Sequence, residues 1–170
     1  MKLFNTRQLA FGGLMAALVF VGTILIRIPT PTKGYIHIGD SLVYLCGLLL
    51  GPILGGFAAA IGSLFADIFS SYAIYAPATF LIKGIDALIV GVVFKKIICA
   101  PKTFSRKVTA YMLAVLAGGA FMVLGYLAYE TVLYGFPVAI LGMAPNILQA
   151  LGGAILAFPL FVFLSEQQIK

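Results

Sequence analysis

A succession of long apolar runs, continuous rather than alternating, constrains this chain more than any other feature. The first extends from about Leu9 to Ile26, and others fill roughly 53–70, 77–94, 108–133 and 145–164. About 20 apolar residues suffice for a helix to cross a bilayer, whereas the strands of a membrane barrel alternate in and out. Only eleven basic and five acidic residues are present among 170, against about a quarter charged in an ordinary soluble domain. Hydrophobic residues make up 62% and mean hydropathy is +1.13. A water-soluble fold of this size cannot hide so much apolar surface. Composition therefore excludes a soluble globular domain, a disordered chain and a secreted disulfide scaffold. The expected architecture is an all-α membrane protein, a single domain over residues 1–170 made of six transmembrane helices.

The punctuation between the runs sets their ends. Asn5 or Thr6 suits the cap of helix 1. The segment RIPTPTKGYIHI, Arg27 to Ile38, holds Pro29, Pro31 and Gly34 and is expected to be a loop. Helix 2 is expected from Gly39 to about Leu50, with Asp40 as a cap and a favourable charge on the helix dipole. At ~18 Å it is too short to cross alone. Gly51 and Pro52 turn the chain into helix 3, and Pro77 suits the first turn of helix 4. The stretch YGFPVAILGMA, Tyr134 to Ala144, is expected to be an irregular or re-entrant loop, with helix 6 starting at Pro145.

Basic residues set the orientation. With both termini cytoplasmic, the inner side holds Lys2, Arg7, Lys95, Lys96, Lys102, Arg106, Lys107 and Lys170, and the outer side Arg27 and Lys33. That asymmetry is the positive-inside pattern and needs an even number of spans. It accounts for the net charge of +6 without a nucleic-acid partner. No GxxxxGK[ST] loop, HExxH or CxxC occurs, so a nucleotide-hydrolysing loop and those metal sites are absent from the sequence. Cys46 and Cys99 are expected to be unpaired. No catalytic residue, metal or cofactor is assigned.

Charged and amide groups within membrane helices are costly, and they collect where function needs them. On this topology they share one outer layer: Asp40, Asp67, Lys83, Asp86, Tyr126, Glu130, Asn146 and Gln149, with His37, Tyr72 and Tyr75 in the adjoining loops. Lys83 and Asp86, at i and i+3, share a helix face, as do Asn146 and Gln149. Lys83 with Asp86 fits either a structural pair or a ligand site. A helix 6 starting at Pro145 would aim its positive end at this layer. Apolar walls with a few placed polar groups make a small-molecule pocket, with substrate-binding candidates His37, Asp40, Asp67, Tyr75, Lys83, Tyr126, Glu130, Asn146 and Gln149. On helix 1, Gly12/Ala16 and Gly13/Ala17 form two overlapping small-xxx-small pairs, suited to a partner helix or to packing inside the bundle.

The sequence resembles the substrate-binding S component of energy-coupling factor (ECF) vitamin transporters along nearly its whole length. The resemblance rests on GGLMAAL (Gly12 to Leu18), on YIHIGDSLVYLCGLLLGPILGGFAAAIGSLFADIFSSY (Tyr35 to Tyr72), on YAPATFLIKGIDALIVG (Tyr75 to Gly91) and on PNILQALGG (Pro145 to Gly153). It implies a multi-pass subunit of the bacterial cytoplasmic membrane that binds a vitamin from outside. That subunit docks through the small residues of helix 1, here Gly12, Gly13, Ala16 and Ala17, onto a transmembrane coupling subunit with two ATPase subunits. No enzyme activity of its own is implied. The subgroup is similar to S components for hydroxymethylpyrimidine or pyridoxine and more distantly to riboflavin ones. The alternatives are a self-contained channel or facilitator, which needs a polar path through the inner half, and a membrane enzyme, which needs a catalytic pair.

Overall fold

A computed structural model describes residues 4–25, 27–29, 35–98 and 103–167. Lys2, Lys33, Lys102, Lys170 and Cys99, used above for orientation and cysteine pairing, lie outside the described residues, as do Pro31 and Gly34. Six helices are present among the described residues: α1 (Thr6–Leu25), α2 (Gly39–Leu50), α3 (Pro52–Phe69), α4 (Ala76–Ile97), α5 (Phe104–Tyr134) and α6 (Phe136–Gln167). All except α2 are long and apolar enough to cross a membrane.

Local chemistry accounts for several helix ends. Asn5 Oδ1 accepts from the Gln8 N–H at 2.8 Å, and Gln8 Oε1 accepts from the Asn5 N–H at 3.0 Å. This reciprocal capping box opens α1 one residue after Asn5. Gly51, at φ 78°, supplies the left-handed turn between α2 and α3, and Pro52 follows in the first turn of α3. Arg106 Nε donates to the Ile97 carbonyl at 2.6 Å, tying the start of α5 to the end of α4.

Three expectations need correction. The loop after α1 contains a two-stranded antiparallel hairpin, β1 (Arg27–Pro29) and β2 (Tyr35–His37), in the register Arg27↔His37, Ile28↔Ile36. Strands of three residues carry too little periodicity to be read from sequence. The stretch 134–144 is not an irregular loop. Gly135, at φ 84°, breaks the chain alone, and α6 begins at Phe136 with Pro137 in its first turn. Pro145 lies inside α6, so no helix N-terminus points at the polar layer from there. An internal proline removes one backbone hydrogen bond, a loss that neighbouring elements make tolerable in membrane helices.

The short α2 occupies the middle of the bundle, packed against α1, α3, α4 and α6. Eight of its twelve residues are buried, from Gly39 to Gly47. Enclosure by longer helices explains why a segment too short to span persists here. Backbone contact with α4 is close: a Cβ on Gly91 would lie 2.8 Å from the Gly47 carbonyl oxygen. Toward the end opposite the hairpin, Tyr44, Leu45, Val90, Tyr111, Ala114, Val115, Ala157 and Phe161 form one apolar core. Tyr111 stacks on Phe161 with centroids 4.9 Å apart. The outer surface is rich in exposed Leu, Ile and Phe, as a lipid-facing surface should be.

The helix-1 stripe divides in two. Gly12 is buried, and a Cβ there would sit 3.0 Å from Leu54 Cδ1 of α3. Ala16 is half-buried against Gly62 of α3. These two serve packing within the bundle. Gly13 and Ala17 are exposed, and nothing lies within 4 Å of a Cβ built on Gly13.

Candidate functional site

At the hairpin end of the bundle, six elements converge on a narrow cavity of about 40 Å³. Its wall is Thr23 from α1, His37 from β2, Ser63 and Asp67 from α3, and Tyr72, Tyr75 and Thr79 around the start of α4. It is completed by Tyr126 and Glu130 from α5 and by Gly142, Pro145, Asn146 and Gln149 from α6. The polar layer thus forms because the charged or amide positions on α3, α5 and α6 face the same central space. A larger groove, about 370 Å³, runs between α5 and α6 past Leu116, Leu124 and Leu151, but it is apolar and opens outward among exposed side chains.

Of the nine candidates read from sequence, His37, Asp67, Tyr75, Tyr126, Glu130, Asn146 and Gln149 line the cavity. Asp40 and Lys83 stand behind it. Asp40 does not cap α2, whose cap position is Ile38 with no side-chain bond. Its carboxylate instead takes a long-range pair: Oδ1 accepts from Lys83 Nζ at 2.5 Å, and Oδ2 accepts from Gln149 Nε2 at 3.0 Å. Lys83 and Asp40 are 1% and 0% exposed. Lys83 Nζ also contacts Met122 Sδ at 2.7 Å and sits 5.5 Å from the centre of the Tyr126 ring. Of the two readings of Lys83 with Asp86, the structural pair is not made, since Lys83 pairs with Asp40 instead. Both Asp86 oxygens lack a hydrogen-bond partner among the described residues, and the fully buried side chain lies against Gly118 of α5.

From this pair a chain of bonds reaches the hairpin. Gln149 Oε1 accepts from the His37 backbone N–H at 3.0 Å, and His37 Nδ1 accepts from the Gly39 N–H at 3.0 Å. With Nδ1 an acceptor, the neutral ring carries its proton on Nε2. Burial pushes the His37 imidazole down to about 4, with Asp40 opposing and Lys83 adding to the effect. α6 can approach this network because residue 153 is glycine: a Cβ there would lie 2.8 Å from Asp40 Cβ.

The opposite wall is built on α4 and α5. Tyr75 Oη donates to Glu130 Oε1 at 3.3 Å, and Thr79 Oγ1 and Tyr126 Oη are 3.0 Å apart. Tyr129 stacks edge-on against Tyr75 and donates to the Ile74 carbonyl. Sequence reasoning missed Thr23, Ser63 and Thr79. Thr23 and Ser63 are each 2% exposed, and neither hydroxyl has a hydrogen-bond partner among the described residues. Leaving a buried hydroxyl unpaired costs roughly 1–3 kcal/mol, so two on one cavity wall point to a ligand that completes them. No group of three or more His, Cys, Asp or Glu that could hold a metal occurs among the described residues.

Comparisons with known proteins agree with this architecture. Residues 3–166 match the family model of the ECF-type riboflavin transporter, S component. A relative from Pyrococcus woesei, an uncharacterized protein from the gap 3′ region, is 39% identical over 142 residues, covering 81% of this chain and 88% of that protein. A solved S component of a bacterial ECF transporter superposes with a TM-score of 0.72 at 18% identity, over 96% of this chain and 98% of that one.

Proposed function

Because this chain belongs to the family of ECF-type transporter S components, we propose that it captures a water-soluble vitamin in the hairpin-end cavity and passes it to an ATP-driven ECF module. The family is one of membrane-integral, substrate-binding transport subunits rather than enzymes. The observation that carries the binding role is the cavity itself, where the Thr23 and Ser63 hydroxyls, without a hydrogen-bond partner among the described residues, stand beside Asp67, Glu130 and Asn146. Its mouth faces outward if the basic loops lie in the cytoplasm. The partners are then a transmembrane coupling subunit, two ATPase subunits and the lipid bilayer.

The family match makes riboflavin the first substrate to test. A second reading, a smaller ring of the hydroxymethylpyrimidine or pyridoxine type, is favoured by the narrow cavity. Pockets for drug-sized ligands span roughly 300–1,000 Å³, so either vitamin requires the walls to part, and the smaller one requires less. A channel is disfavoured because an apolar core, from Tyr44 to Phe161, closes the bundle beyond the polar layer.

For docking, the exposed Gly13 and Ala17 are the positions left on α1 for a partner helix. Ala17→Trp is expected to abolish uptake by the assembled transporter while leaving vitamin binding by the isolated subunit unchanged. Uptake at the original rate in that variant would remove α1 from the interface. Binding itself is tested by identifying any small molecule that co-purifies from detergent and titrating it back. Passive solute flux in liposomes lacking partner subunits would favour the channel.

A further inference from the structure

Resting on the vitamin-binding reading, we infer that α1 and α3 recognise a hydroxyl-bearing part of the ligand through the side chains of Thr23 and Ser63. Both residues line the cavity and are 2% exposed, and neither hydroxyl has a hydrogen-bond partner among the described residues. A hydroxyl in a helix readily turns back to the carbonyl four residues earlier. Elsewhere in this chain it does so: Thr109 Oγ1 donates to the Ser105 carbonyl at 3.1 Å, and Thr131 Oγ1 to the Leu127 carbonyl at 2.7 Å. Thr79, on the opposite wall, is paired with Tyr126. Thr23 and Ser63 forgo that bond at buried positions, where an unpaired hydroxyl costs most.

The fold holds both side chains in place. α1 and α3 cross closely beside them: a Cβ on Gly62 would run into the Ala16 carbonyl oxygen and lie 2.8 Å from Val19 Cβ. Val19 is one turn before Thr23, and Gly62 adjoins Ser63. At the start of α2, a Cβ on Gly39 would run into Thr23 Oγ1, so glycine there leaves the hydroxyl its room. A hydroxyl both donates and accepts. A ligand hydroxyl can therefore accept from one of these side chains and donate to the other, in either sense, completing what the protein leaves open. An apolar ligand edge against the same wall would leave both unpaired. Riboflavin carries such groups on its ribityl chain, and pyridoxine and hydroxymethylpyrimidine carry them as hydroxymethyl groups.

The test titrates riboflavin, pyridoxine and hydroxymethylpyrimidine into the subunit in detergent, in the parent protein and in Thr23→Val, Ser63→Ala and Ser70→Ala. Ser70 is another buried hydroxyl without a hydrogen-bond partner among the described residues, but it lies outside the cavity wall and serves as the control. For whichever vitamin binds, Thr23→Val and Ser63→Ala are each expected to weaken binding about three- to tenfold, the worth of one neutral hydrogen bond, and Ser70→Ala to leave it unchanged. Melting of the ligand-free protein is expected to stay level or rise in all three, because each removes a buried hydroxyl that bonds to nothing. Thr23→Ser, which keeps the hydroxyl, is expected to bind like the parent. With an analogue lacking the hydroxyl, lumiflavin for riboflavin or a deoxy form of the other two, the loss in Thr23→Val and Ser63→Ala is expected to disappear. Full affinity in either variant overturns the inference. So does a fall in ligand-free melting in both, or a loss that persists undiminished with every analogue; each of these leaves the vitamin-binding role standing. Binding of none of the three vitamins by the folded protein overturns that role and this inference with it.

Discussion

Lys83 and Asp40 meet between α4 and α2 with their charges matched, whereas Asp67 and Glu130 stand on the cavity wall near the ends of α3 and α5. All four are almost fully buried at the hairpin end. The first pair is held from several sides, by Gln149, Met122 and the Tyr126 ring. The second pair borders the space a ligand would enter. Burial of charge in a membrane protein thus has two outcomes here. One closes α2 into the bundle and positions Gln149 and the hairpin, and the other lines the cavity.

The largest effect should come from breaking the closed pair. Lys83→Met strands Asp40 without its cation, and losing one partner of a buried pair costs roughly 3–5 kcal/mol. Thermal melting in detergent should fall sharply, and Lys83→Met with Asp40→Asn should recover most of it. If Lys83→Met melts like the parent protein but loses the vitamin, the lysine belongs with the ligand and the comparison fails. On the cavity side, Glu130→Gln keeps an acceptor for Tyr75 and should leave melting nearly unchanged. It should weaken binding of a donor-rich vitamin by about tenfold, the worth of one charge-assisted hydrogen bond.

A smaller effect concerns the hairpin. The His37 imidazole falls from 6.5 to about 4 on burial, so the unfolded chain takes up a proton at higher pH than the folded one. Stability from the neutral ring is complete above about 6.5 and is lost as pH falls toward 4. Melting recorded between pH 4 and 7.5 should rise with pH across that window, and His37→Gln should flatten the rise. Equal slopes in the two proteins would place the proton uptake elsewhere.

The bundle was legible because a bilayer demands long apolar helices, and charges within them stand out against it. That contrast picked out Lys83, Asp40, Asp67, Glu130 and Gln149. It did not reveal who pairs with whom: i,i+3 spacing put Asp86 on the lysine's own face, but the lysine's partner is 43 residues away on α2. Pairing across helices depends on packing, which local spacing does not encode. Thr23, Ser63 and Thr79 were missed because single hydroxyls are common in membrane helices and cost little when solvated or bonded to backbone. The start of α6 was misplaced because the proline rule was applied to Pro145, while Pro137 follows the left-handed Gly135 and occupies the first turn.

The most direct test of the binding role is an equilibrium titration of the purified subunit, without partners, by riboflavin and by the smaller pyrimidine and pyridoxine rings. Saturable one-to-one binding of one of them is expected, with no chemical turnover and a weaker affinity in Glu130→Gln at unchanged melting temperature. Absence of binding by all of them in a folded protein, or full affinity retained in Glu130→Gln and Asp67→Asn alike, would contradict the binding role.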